Sequence, residues 1–268
     1  MSTTITSKEL SVRVPLYHPD MPFAVFWSEK SGCTITVKWF FWQLGLLEAA
    51  QQHHNWIHNY ENEVFKARKG YIEDCIKAIE KGLPVVKIVR NPYMRAVSGY
   101  LEICGKKVFE TGHWARRQRR VILESLTGHF LELDYGFSFR QYVDWLSAQA
   151  DYAVDPHIRQ QFMTVESKVQ VEPLHLEDGP KLFHTLEQRF GLKDSSNDLD
   201  LFDSRHHHTK TNISPYPTMG FADLALPVSR NARFKIIDFD LDEMSKSDIG
   251  SKLQRYFSKD FINYGYSF

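Results

Sequence analysis

Residues 23–27, FAVFW, form an unbroken apolar run. Such a run predicts a strand buried on both faces, as in a parallel sheet. The next five residues, SEKSG, are polar and tight, and from Thr34 to about Gln52 the pattern is helical, with no proline and one glycine. The first unit is therefore strand–loop–helix. Over 71–81, Ile72, Cys75, Ile76 and Ile79 share one helical face, and Gly82 stops the helix. Residues 84–89, PVVKIV, predict a second strand, with Pro84 tolerated at its first position. Asn91 then suits an N-cap and Pro92 the first helical position. Residues 139–148 and 180–190 read as amphipathic helices, 166–172 alternates like a strand, and 247–261 reads as a last helix. Residues 194–232, rich in Asp, Ser, Asn, Pro and His, read as loop. Strands alternating with helices predict an α/β fold, a central parallel sheet flanked by helices. With no repeat and no linker, residues 1–268 read as a single domain.

The charge balance narrows the partners. The 268 residues carry 33 basic and 33 acidic side chains. Zero net charge argues against a nucleic-acid partner held by a global basic field. Cys33, Cys75 and Cys104 are odd in number and contain no C-x-x-C pair. They predict neither a disulfide framework nor a structural zinc site. A reducing, cytoplasmic location is expected. The N-terminal MSTTITSKELSVRV lacks the apolar core of a signal peptide. The most apolar stretch, 37–47, is interrupted by Lys38 and Gln43 and falls short of the roughly 20 residues a membrane span needs.

Two loops carry the candidate chemistry. Glu29-Lys30-Ser31-Gly32-Cys33-Thr34 joins the first predicted strand to its helix. Backbone N–H groups and the helix dipole there favour an anion, Lys30 adds a full charge, and Ser31 and Thr34 add hydroxyls. A phosphate or a sulfate would fit. The Walker A order G-x-x-x-x-G-K-[ST] is absent, because the lysine precedes the glycine. Arg90 ends the second strand, and Ser98 lies eight residues on, about two helical turns. Arg95 shares a face with Ser98. Arg90 and Ser98 can face one anion; taken alone, they better suit pairing with a carboxylate and close packing.

Lys-Ser-Gly-Cys-Thr after one strand and R-N-P-Y-x-R-x-x-S-x-Y after another together resemble the sulfotransferases that use 3′-phosphoadenosine 5′-phosphosulfate (PAPS), most closely the carbohydrate-type branch with its bacterial members. The segments FSFRQYVDWL at 137–146, DPHIRQQ at 155–161 and the terminal YFSKDFINYGY are similar too, as is Ile57-His58-Asn59 between the loops. In DPHIRQQ, Ile158 and Gln160 depart from the family's His-aromatic-Arg-Pro-Gln pattern. The resemblance implies a P-loop-like nucleotide-binding core of the sulfotransferase fold. It implies that Lys30, Ser31, Gly32, Cys33 and Thr34 hold the 5′ phosphosulfate and that Arg90 and Ser98 hold the 3′-phosphate. It also implies transfer to a hydroxyl of a carbohydrate or glycoconjugate, with 3′-phosphoadenosine 5′-phosphate (PAP) as product and no metal. A P-loop kinase-like enzyme and a non-catalytic nucleotide-binding protein are the rivals.

Sulfuryl transfer, by analogy with phosphoryl transfer, depends on positioning and charge. Lys30 is the candidate cation for the leaving phosphate. A base is needed for the acceptor proton, and histidine suits it. His58 is the first candidate, by its place between the loops; His157 is a base or substrate contact; His54, Glu61 and Glu63 are further options. The basic run Arg116, Arg117, Arg119 and Arg120 reads as a solvated helix face, with an anionic acceptor as the second reading and nucleic acid as the third. His206, His207 and His208 lack a metal-ligand spacing. Trp39, Phe40, Phe41 and Trp42 read as core, with some open to an acceptor pocket.

Overall fold

The structure, a computed structural model, describes residues 4–129, 132–202, 220, 222–226, 228 and 240–267. Its contacts gather into two compact units, one drawn from Met1–Arg90 with Gln161–Ser204, the other from Asn91–Gln160 with Arg205–Phe268.

The first unit is α/β. Helix α1 (Ser7–Leu10) precedes strand β1 (Ala24–Trp27). Helices α2 (Cys33–Gln43), α3 (Leu47–His53), α4 (Ile57–Tyr60) and α5 (Tyr71–Glu80) lead to strand β2 (Val85–Val89). Strand β3 (Val171–His175) pairs on the other side of β2. All three strands are parallel, with Ala24 opposite Val85 and Val85 opposite Val171. Alternate residues feed two cores. Val25, Val86 and Ile88 pack with Val37, Phe40 and Phe41 of α2. Ala24, Phe26 and Val85 pack with Tyr71, Cys75, Ile76 and Ile79 of α5. Helices therefore cover both faces, which is why the strands read as continuous apolar runs.

Three boundaries depart from the sequence pattern. The expected single helix from Thr34 to Gln52 is two helices. Gly45 takes φ 70°, its N–H bonds to the Trp42 carbonyl, and the Leu46 N–H reaches back to Phe41. This is a glycine-terminated helix end, which one glycine in an otherwise helical pattern does not announce. The strand expected at 166–172 begins at Val171, because Thr164–Ser167 forms a 3₁₀ turn in which Glu166 accepts from the Met163 N–H at 2.8 Å. The last helix is split at Phe257 into Asp248–Tyr256 and Ser258–Tyr264.

The second unit is helical in its described residues. Helix α6 (Pro92–Cys104) starts as the sequence predicts: the Asn91 side chain accepts from the N–H groups of Tyr93 and Met94, and Pro92 occupies the first turn. With α7 (Trp114–Thr127), α8 (Phe139–Ser147) and the two C-terminal helices it encloses a core containing Tyr100, Phe137, Phe139 and Tyr142. Arg119 corrects one expectation. It is fully buried and donates to the carbonyls of Ile103, Leu133 and Tyr135 at 3.0, 2.6 and 2.5 Å, so the basic run is not a uniformly solvated face. Arg117 and Arg120 are exposed. No described helix is long and apolar enough to cross a membrane.

Candidate functional site

In a parallel α/β sheet the loops after the strands' carboxyl ends gather at one edge, where ligands usually bind. Here β1 runs into loop 28–32, β2 into Arg90 and β3 into Leu176. The register places these ends side by side. Leu176 packs so closely on the loop that a Cβ on Gly32 would lie 2.6 Å from its Cδ1.

The loop is built for a sharp turn into α2. Lys30 has φ 65°, and it is the sole non-glycine residue with positive φ among the described residues. Gly32 follows with φ 78° as the N-cap of α2, without a side-chain cap. The first N–H groups of a helix have no partner within it and carry its positive end. The Arg90 guanidinium donates to the Lys30 carbonyl at 3.1 Å, so the two predicted cations are joined through one backbone group. Ser31 is fully buried and its hydroxyl donates to Gln161 at 2.5 Å. Ser31 therefore closes the loop from within. Arg13 ion-pairs with Glu29 at 2.8 Å and donates to Ser28 at 3.1 Å, offsetting the one acidic side chain of the loop.

Against the start of α2 lies a buried charged chain. The segment after α4 continues as a π-type turn, Glu61–Phe65, which carries Glu61 and the exposed Glu63. Glu61 is fully buried and bridges two cations: one carboxylate oxygen meets His58 Nδ1, the other Lys66 Nζ at 2.5 Å. Lys66 also donates to the Val14 carbonyl at 2.6 Å. On its far side His58 hydrogen-bonds to Cys33, and its Nε2 lies 3.5 Å from Thr34 Oγ1. Burial opposes a charge on His58, but the bonds to Cys33 and Glu61 outweigh it and hold the imidazole up at about 10. Burial alone would raise the Glu61 carboxyl, yet Lys66 and His58 hold it below the usual carboxylate range. The charged form of His58 is thus favoured. In that state it has no lone pair for an acceptor proton and adds positive charge beside the α2 N-terminus.

His54 and Glu63 are exposed. Ser98 is buried in α6, and His157 belongs to the second unit as well. There His157 stacks flat on Trp114, with ring centroids 4.2 Å apart, and its Nδ1 lies 2.7 Å from Asp155 Oδ1. Arg95, which shares the α6 face of Ser98, is buried and donates to the carbonyls of Pro156 and Arg159 at 3.0 and 2.5 Å, so it braces the His157 segment. Trp39, Phe40 and Phe41 are core, as expected, and the Trp39 indole donates to Glu187 at 2.7 Å. His206–His208 lie outside the described residues. Sequence reasoning passed over Arg13, Lys66 and Lys87, and gave no role to Gln161 at the end of DPHIRQQ. No local signal gives them these contacts, since their partners are mostly tens of residues away.

No protein-family model matches this chain, and neither curated proteins nor solved structures yield a match.

Proposed function

We infer that the protein is a sulfotransferase that binds PAPS at the carboxyl edge of its parallel sheet and passes the sulfuryl group to a hydroxyl, in the preferred reading that of a carbohydrate or glycoconjugate. The observation that carries this reading is the joined pair of anion-binding elements. The left-handed Lys30–Gly32 turn opens onto the α2 N-terminus, and Arg90, at the end of the neighbouring strand, is tied to Lys30 at 3.1 Å. A donor with phosphates at both ends of one nucleoside needs two such elements. A lone helix N-terminus would serve any phosphate.

In this reading Lys30 and the α2 amides meet the 5′ phosphosulfate. As the acceptor oxygen–sulfur bond forms, the hydroxyl proton passes to a general base, the bond from sulfur to the bridging oxygen breaks, and Lys30 balances the charge left on the phosphate. The His58 cation adds to that field. Arg90 takes the 3′-phosphate, which a planar guanidinium can grip with two hydrogen bonds. Ser98, Cys33, Thr34 and His157 keep the roles the sequence resemblance implies, His157 on the acceptor side.

Thermal stabilisation by PAP, against ADP and ATP–magnesium, tests the reading. Ligand at 100 times its Kd adds roughly 2.7 kcal/mol of stability. A shift that needs the 3′-phosphate is expected. A shift with ATP–magnesium alone would favour a kinase-like enzyme and overturn the proposal.

A further inference from the structure

Gln161 ends the DPHIRQQ segment, where the sequence assigns it no role, yet it is fully buried in the candidate site. Its Oε1 accepts from the Ser31 hydroxyl at 2.5 Å and from the Arg90 N–H at 2.9 Å, while its Nε2 donates to the Arg90 carbonyl at 2.8 Å. The carboxamide thus pairs both backbone groups of Arg90, as a neighbouring strand would, and uses its second lone pair for the β1–α2 loop. Arg90 in turn holds the Lys30 carbonyl. The main-chain carbonyl of Gln161 is separately anchored by Arg13 at 3.0 Å and Lys87 at 2.6 Å. Those anchors do not involve the side chain, so the backbone at 161 is fixed whatever the side chain does.

The geometry points to Gln161 as a positioning residue that locks the Lys30 loop to the end of β2, so that Lys30 and Arg90 meet a donor nucleotide at a preset spacing. This rests on the sulfotransferase reading for its ligand, but the lock itself is a property of the free protein. A ligand that touches both elements binds more tightly when their spacing is set beforehand, because less ordering is left to the binding step.

The test uses the full chain with Gln161→Leu, and Gln161→Met if the leucine variant does not fold. Two readouts are taken. Amide hydrogen exchange in the free protein should rise about tenfold at Arg90, with Ile88 and Val89 unchanged, as expected for losing a hydrogen bond of ordinary strength. PAP affinity should fall about tenfold, with donor KM rising more than kcat falls. Ser31→Ala combined with Gln161→Leu should lose no more than Gln161→Leu alone, since both cut the same link. Unchanged exchange at Arg90, or strictly additive losses, would overturn the lock. If the wild-type chain binds no 3′-phosphorylated nucleotide, the function fails, and the exchange result still decides the lock.

Discussion

Replacing Glu61 with glutamine keeps the shape of the buried bridge and removes its charge. In the wild-type protein one fully buried carboxylate lies between His58 and Lys66, both sequestered from water. An amide in its place leaves Lys66 with the Val14 carbonyl and His58 with no anion on Nδ1. Removing one partner of a buried charge set costs about 3–5 kcal/mol. For a chain of this size that lowers Tm by roughly 6–20 °C. The pH dependence gives a second, independent sign. The folded-state His58 pKa, about 10, is raised above its unfolded value, so the stability it contributes is complete below about pH 6.5 and is lost as pH rises through about 10. In Glu61→Gln that slope should shrink. Burial then opposes the charged imidazole with only the Cys33 bond to hold it up, so the His58 pKa should fall below its wild-type value. Thermal melts from pH 6 to 10, with imidazole NMR assigned by a His58→Gln control, measure both effects. A Tm within about 2 °C of wild type at pH 7, or a His58 that still titrates at about 10, would refute the charged bridge.

Gly32→Ala places a Cβ 2.6 Å from Leu176 Cδ1 at φ 78°, so it should cost about 1–3 kcal/mol and weaken PAP binding; a variant with unaltered melting would show the turn to be slack. Arg119→Met removes a fully buried side chain's bonds to three carbonyls, that of Ile103 buried, and should cost about 3 kcal/mol, whereas Arg117→Ala, at a side chain 64% exposed, should stay within about 0.5 kcal/mol. Equal urea midpoints for those two would contradict the burial contrast. Lys30→Ala should lower kcat by roughly 10²–10³ with a smaller loss of PAP affinity, and a wild-type rate at saturating donor would remove Lys30 from the mechanism.

What could be read from the sequence was what depends on neighbours along the chain. Two strands show as apolar runs because helices cover both faces of the sheet, and α6 shows because Asn91 and Pro92 satisfy its first turn locally. The β1–α2 loop shows for the same reason: its lysine, glycine and hydroxyls are contiguous. The split at Gly45 was hidden, since a single glycine is tolerated within a helical pattern and only the Leu46 to Phe41 bond reveals a terminus. Strand β3 was misplaced by five residues at its start because the alternation of ESKVQVE competes with a turn that Glu166 stabilises, and Glu166 is held by Lys87, 79 residues earlier. The polar groups that set the site have partners at similar range. Gln161 reaches back 130 residues to Ser31 and 71 to Arg90. A buried glutamine, lysine or arginine is indistinguishable in sequence from an exposed one, because what permits its burial is a partner the local pattern cannot name. Contiguous chemistry suggested where an anion would sit; only the long-range hydrogen bonds show why Lys30 and Arg90 hold one spacing.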